Sequence, residues 1–227
     1  EIRQQTSGGE LRAFIEGDFE GEGDTFRLRH AYGQYRSVLA GKTSTAFSNP
    51  RISPEEVDFE GINGMILLRQ SQLRFFPKLK TDLNMIVSLE DTTTDVQNGA
   101  GAAGSFPDTV FSLNRLPLGR LGAWDYEVAF ILRNLESAGG ADGAQIEGEP
   151  SFKSGTTGWG VTTSGRLPLS RWGEDDFLSW QLTYGEGIGR YINDLGTVGG
   201  GDAVIDPEGQ LRALPVLAGF LSYSHTW

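Results

Sequence analysis

Apolar and polar residues alternate with a period of two along most of the chain. Over residues 10–20, Leu11, Ala13, Ile15, Gly17 and Phe19 fall on one face, and Arg12, Phe14, Glu16, Asp18 and Glu20 on the other, as in a strand with one wet face. Past the Gly21 to Asp24 turn, residues 26–35 set Phe26, Leu28, His30 and Tyr32 opposite Arg27, Arg29, Ala31 and Gly33. Further strands are predicted at 36–47, 65–76, 79–90, 106–116, 122–133, 158–167, 177–185 and 211–227, separated by Gly, Pro and acidic clusters. Trp124, Tyr126, Val128, Phe130 and Leu132 make one apolar face, and Leu178, Trp180, Leu182 and Tyr184 another; Ile86 is an apolar residue stranded on a polar face.

This gives about ten strands, and the connections alternate in length. They are short near Tyr35, Pro77, Pro117 and Pro168 and long near Pro54, Gly99, Gly140 and Gly200. An up-and-down antiparallel meander produces that parity directly, since odd junctions then gather at one end and even junctions at the other. Short turns on one rim and long loops on the other mark an outer-membrane barrel. The fold class expected is therefore all-β, a transmembrane antiparallel up-and-down β-barrel. Phe26, Trp124, Trp159, Phe177, Tyr184 and Trp227 near strand ends suit interface girdles.

Composition narrows the picture. The 32 glycines among 227 residues show no collagen-like period and suit a turn-rich β architecture. A formal net charge of -11 argues against a nucleic-acid partner. With no cysteine there is neither a disulfide framework nor a thiolate site. No apolar run reaches the length of a membrane helix, which leaves strands as the way across a bilayer. No signal sequence opens the chain, which reads as already processed or excised.

Most candidate chemistry fails on spacing. "AGKTS" at residues 40–44 lacks the first P-loop glycine, and "GEGIGR" at 185–190 does not keep the dinucleotide pattern. His30 and His225 are too far apart in sequence to suggest a zinc site, no serine is tied to a base, and the acidic turns match no calcium loop. No enzymatic activity, metal or cofactor is expected.

The basic residues carry more information. A Lys or Arg facing lipid near the midplane costs about 2–4 kcal/mol, so the polar faces must look into the lumen. Arg12, Arg27, Arg29, Arg74, Lys80, Arg133 and Arg166 all lie opposite the apolar set, which makes them candidate pore-lining, anion-binding groups. Glu16 and Asp18 share the wet face of the strand before Arg27, and Glu55, Glu56, Asp58 and Glu60 sit in a long loop; these are the candidate opposing acidic groups. The competing reading is a structural charge ladder between strands. For the molecule as a whole, the competing class is a soluble or surface-exposed all-β ligand-binding protein.

Several stretches resemble the DcaP-like family of Gram-negative outer-membrane porins: "FIEGDF" (14–19), "FRLRHAYGQY" (26–35), "GKTSTAFSNP" (41–50), "VDFEGING" with "RQSQLRF" (57–75) and "GEGIGRYINDL" (185–195). The resemblance implies a sixteen-stranded barrel, assembled as a homotrimer in the lipid of the cell outer membrane, passing small anionic solutes such as dicarboxylates through an arginine-lined pore. It carries Arg27, Arg29 and Arg74 over as pore arginines, while Arg133 and Arg166 rest on face counting. Residues 1–227 are expected to be a single barrel domain lacking N- and C-terminal strands of the family.

Overall fold

The computed structural model of the chain describes every residue except 22, 55, 58–60, 80–82, 100, 116–125, 138–153, 170–172, 174 and 226–227. Its strands are β1 (Ile2–Thr6), β2 (Gly9–Gly21), β3 (Thr25–Tyr35), β4 (Val38–Ser44), β5 (Arg69–Phe75), β6 (Asn84–Glu90), β7 (Gly101–Ala102), β8 (Asp108–Asn114), β9 (Glu127–Ser137), β10 (Gly155–Pro168), β11 (Phe177–Glu186), β12 (Ala203–Ile205), β13 (Leu211–Ala213) and β14 (Pro215–Ser224). The main sheet runs β1-β2-β3-β4-β5-β6-β8-β9-β10-β11-β14, with β7 beside β9, and β12 and β13 form a separate hairpin. The expected meander is present. Period-two counting misses β1, β7 and the β12–β13 hairpin, and it runs β13 and β14 together across Leu214.

Strand bounds reproduce the expected parity. Junctions at 7–8, 36–37, 76–83, 115–126 and 169–176 lie at one end of the sheet, and those at 22–24, 45–68, 91–107, 138–154 and 187–214 at the other. The 22–24 junction is the one short member of the long set. The P-loop look-alike lies in β4, where a Cβ on Gly41 (φ +130) would stand 2.2 Å from the Ala31 carbonyl oxygen. Glycine serves close strand approach there, and no phosphate is implied.

The sheet is inside out relative to a soluble domain. On β11, Ser179, Gln181 and Thr183 are buried while Leu182 is 55% exposed. On β14, Leu217 and Leu221 are 74% and 72% exposed, and on β2 Ile15 and Phe19 are bare. On these strands apolar residues point outward and polar residues inward, as a strand crossing lipid requires, while Val110, Ala129, Ile131 and Val216 are apolar residues turned inward.

A β-bulge corrects the expected facing of β3. Glu16 pairs with His30 and Gly17 with Leu28, so Arg29 is the extra residue. Counting by two therefore fails at that point. His30 and Tyr32 pair with Glu16 and Phe14 on the inner face, whereas Ala31 and Gly33 turn outward with Ile15 and Ala13. The histidine expected on the apolar side instead holds Thr43 Oγ1 at 2.9 Å from its Nδ1.

Long connections cover the inner face. Residues 45–68 leave β4, close on themselves through Thr45 N to Leu68 O (2.9 Å), and reach Glu90 on β6 and Gln181 on β11 through Ala46 N (2.8 Å) and Ile66 N (3.2 Å). Phe47 and Tyr191 from two different loops meet edge to face at 5.9 Å. They join Ala46, Ile66, Ile188 and Ile192 in a core against Val110, Ala129, Ile131 and Val216. Ile86, the apolar residue on a polar face, packs against this core. Residues 91–107 are tied to the 187–214 connection by Asn98, whose side chain donates to Ile205 O and accepts from Ile205 N, both at 2.8 Å.

Candidate functional site in the loop-covered inner face

Three groups of charged residues occupy the inner face. At the β2–β3 tip, Arg27 forks onto Asp18 with Nε and Nη2 each at 2.9 Å and reaches Glu20 at 3.0 Å; Arg29 reaches Asp18 at 3.0 Å and Glu16 at 3.7 Å. Two guanidinium groups thus face three carboxylates. The bulge is what turns Arg29 toward the same carboxylate as Arg27. Arg12 pairs with Glu1 at 2.7 Å and lies over the Phe14 and Tyr32 rings.

The second group is closed to solvent. Arg133 is inward as counted, but its side chain is fully buried between Asp108 (2.7 Å) and Asp202 (2.8 Å). It also donates to the carbonyls of Gly187 (2.5 Å) and Thr93 (2.8 Å) and lies over the Tyr191 ring. Tyr191 in turn donates to Asp108 (2.8 Å) and accepts from Gln70, which also donates to Glu90 (2.7 Å). Burial, followed by the charge of Asp108, raises the Tyr191 hydroxyl well above its usual range, which keeps it a donor. This chain of contacts locks two inward loops to the wall, and no face of Arg133 is left for a solute.

The third group lines open space. A cavity of about 610 Å³ under the 45–68 connection is bordered by His30, Arg51, Arg69, Arg74, Asn114 and Glu127, among others. A second, of about 1000 Å³, adjoins it through Arg51, Phe76, Ile86 and Asn114 and opens at the short-turn rim beside Gly8, Arg36, Ser37 and Lys78. Glu127 is the one carboxylate among the described residues lining either cavity. Arg74 gives Nε to Gln72 (2.9 Å) and Nη2 to the Ser44 carbonyl (2.7 Å), so no carboxylate partner neutralises it within hydrogen-bonding distance. A protein of formal charge -11 thus holds a mainly basic passage.

Of the candidate basic residues, Arg74 lines this passage. Arg27 and Arg29 stand in the tip ladder, Arg133 in the closed cluster, and Arg166 over the inward ring of Phe177 at 3.4 Å. Phe177 accordingly does not belong to the outer girdle, whereas Trp159 and Tyr184 pair outside at 5.7 Å. Lys80, Glu55, Asp58 and Glu60 lie outside the described residues, as do Trp124 and Trp227, and Glu56 is exposed. Arg51, Arg69 and Arg36 escaped face counting: two of them lie in connections, and Arg69 begins its strand on the face parity assigns to lipid. Among the described residues no group of histidine and carboxylate side chains is arranged to hold a metal ion.

The sequence model of the DcaP outer membrane protein family matches residues 1–114. The structure is similar to the crystal structure of the outer membrane channel DcaP of Acinetobacter baumannii, with a TM-score of 0.78 and 20% sequence identity, over 97% of this chain and 59% of that one. The chain thus spans part of that channel's length, and at such identity the likeness speaks for the fold. No curated protein matches the sequence.

Proposed function

The chain belongs to the DcaP outer membrane protein family, and from that premise we propose that it works as a porin, passing small anionic solutes, dicarboxylates among them, by passive diffusion. The observation that carries this is the passage bordered by Arg36, Arg51, Arg69, Arg74 and Lys78 with Glu127 as its one described carboxylate. Rings of one charge in a narrow pore set selectivity, and basic ones favour anions. Passive diffusion asks for no catalytic group, cofactor or metal.

Arg74 and Arg69 are the groups proposed to meet the solute, while Arg27 and Arg29 shape the potential at the long-loop mouth together with Asp18. Open sheet edges are untenable in lipid. The edges at β1 and β14 therefore belong, in this reading, to a larger closed barrel of a single domain, carried as a homotrimer among outer-membrane lipids. Planar-bilayer recording of the full-length protein tests the selectivity. Replacing Arg74 and Arg69 by Gln should shift the reversal potential in a KCl gradient toward the cation side. An unchanged potential in a channel that still conducts overturns their assignment.

A further inference from the structure

Lys42 breaks the pattern of the outer wall. Cross-strand partners share a face of the sheet. Thr43 and its partner Gln70 are inward, since Thr43 holds His30 and Gln70 donates to Glu90 and Tyr191. The residues beside them, Lys42 and its partners Ala31 and Ser71, therefore face outward.

Their depth follows from β3. Outward Tyr35 lies about 13 Å along that strand from Ala31. On the other side, past the bulge, come outward Leu28 and Phe26, and Phe26 meets Phe19 edge to face at 5.8 Å. Lys42 thus stands between two exposed aromatic levels, inside the apolar band, where a cation facing lipid is costly. Its ammonium and the Ser71 hydroxyl have no hydrogen-bond or ion-pair partner among the described residues.

The wall around Lys42 is also built differently from the rest. Ala31, Gly33 and Ala40 are its outward neighbours, and toward the short-turn rim a groove of about 380 Å³ is bordered by Leu11, Gly33, Tyr35, Val38 and Ala40. The outward faces of β8 to β11 instead carry Phe111, Leu113, Phe130, Leu132, Val161 and Leu182, all exposed. Bulky apolar side chains suit lipid. Small residues with a few polar groups suit contact between protein surfaces inside a membrane, because backbones approach closely and hydrogen bonds cross the gap.

We propose that the outer wall from β3 to β5 packs against a second copy of this chain, with Lys42 of one copy donating to the Ser71 hydroxyl of the other. Lipid headgroups lie outside the hydrocarbon core and bring no acceptor to this depth, so the partner must itself span the bilayer. The patch holds both halves of the bond, ammonium and hydroxyl, on adjacent strands, which makes a copy of the same surface complementary to it. This rests on the reading of the chain as part of a closed, oligomeric barrel and gives that oligomer its contact surface. It makes no use of the basic passage.

The full-length protein in outer-membrane vesicles provides the test, with single cysteines introduced into a stretch, residues 1–227, that has none. A short thiol cross-linker should join two copies through Ser71→Cys and should not join them through Leu182→Cys on the bulky wall. Lys42→Leu would relieve a residue that faced lipid. Here it should instead lower the temperature at which the oligomer band is lost on an electrophoretic gel. Failure of Ser71→Cys to link, linking through Leu182→Cys as efficient as through Ser71→Cys, or a Lys42→Leu oligomer that survives heating as the wild type does overturns the assignment. None of these outcomes moves the KCl reversal potential of the wild-type channel, on which the porin reading stands or falls separately.

Discussion

Arg133 donates to Asp108 and to two loop carbonyls and pairs with Asp202, and every one of these contacts lies on the buried inner face. Removing one partner of a buried pair leaves an uncompensated charge, at about 3–5 kcal/mol. Arg133→Met should therefore lower the temperature at which the folded band converts to the unfolded one on an electrophoretic gel. Adding Asp108→Asn and Asp202→Asn to it should recover most of the loss. Arg27 and Arg29 differ because they face Glu16, Asp18 and Glu20 near solvent. Replacing both by Gln leaves the carboxylates uncompensated and should move the reversal potential toward cations; no movement would make the pair a ladder and nothing more. Alternation in the sequence shows that Arg133 faces inward. It does not show that the interior is closed there, because Asp202 and Gly187 arrive from a loop far along the chain.

At the scale of elements, the meander and the alternation of its connections were legible because they depend on a period of two and on Gly and Pro punctuation. The β3 bulge was not, since one extra residue reverses every later facing while leaving the local pattern intact. Deleting Arg29 should therefore remove the bulge and leave Leu28 outward and His30 and Tyr32 inward, seen as a protein that still reaches its heat-modifiable folded form, whereas deleting His30, which puts Arg29 in its inward place, should lose only the Thr43 contact. The loop-borne core was also hidden: Phe47, Ile66, Ile188 and Tyr191 have no common period, and their partners are set by tertiary packing. In the β12–β13 hairpin, Asp206 receives Arg212 Nε and the Gln210 N–H. The Arg212 bond first, and the backbone bond second, hold its carboxyl below the usual range. A depressed folded value means the contribution is whole above the ordinary carboxylate pKa and is lost as pH falls through the lowered one. Amide exchange at Gln210 should accordingly stay slow through mild acid in the native protein and become fast in Asp206→Ala.

For the whole molecule, the outward apolar strands and the basic passage answer to two different solvents. Faces carrying Ile15, Phe19, Leu217 and Leu221 need lipid or detergent, so the protein should aggregate when detergent is withdrawn and be monodisperse in it. Behaviour as a monodisperse species in plain buffer would fit the soluble binding-protein alternative. The inner face decides what crosses, and the charge of the passage opposes the charge of the chain: basic groups border the cavities of a protein whose net charge is -11. That opposition makes selectivity the direct test. The reversal potential of the full-length wild-type protein, recorded in a planar bilayer across a KCl gradient, should lie on the chloride side. A potential on the potassium side would contradict the account.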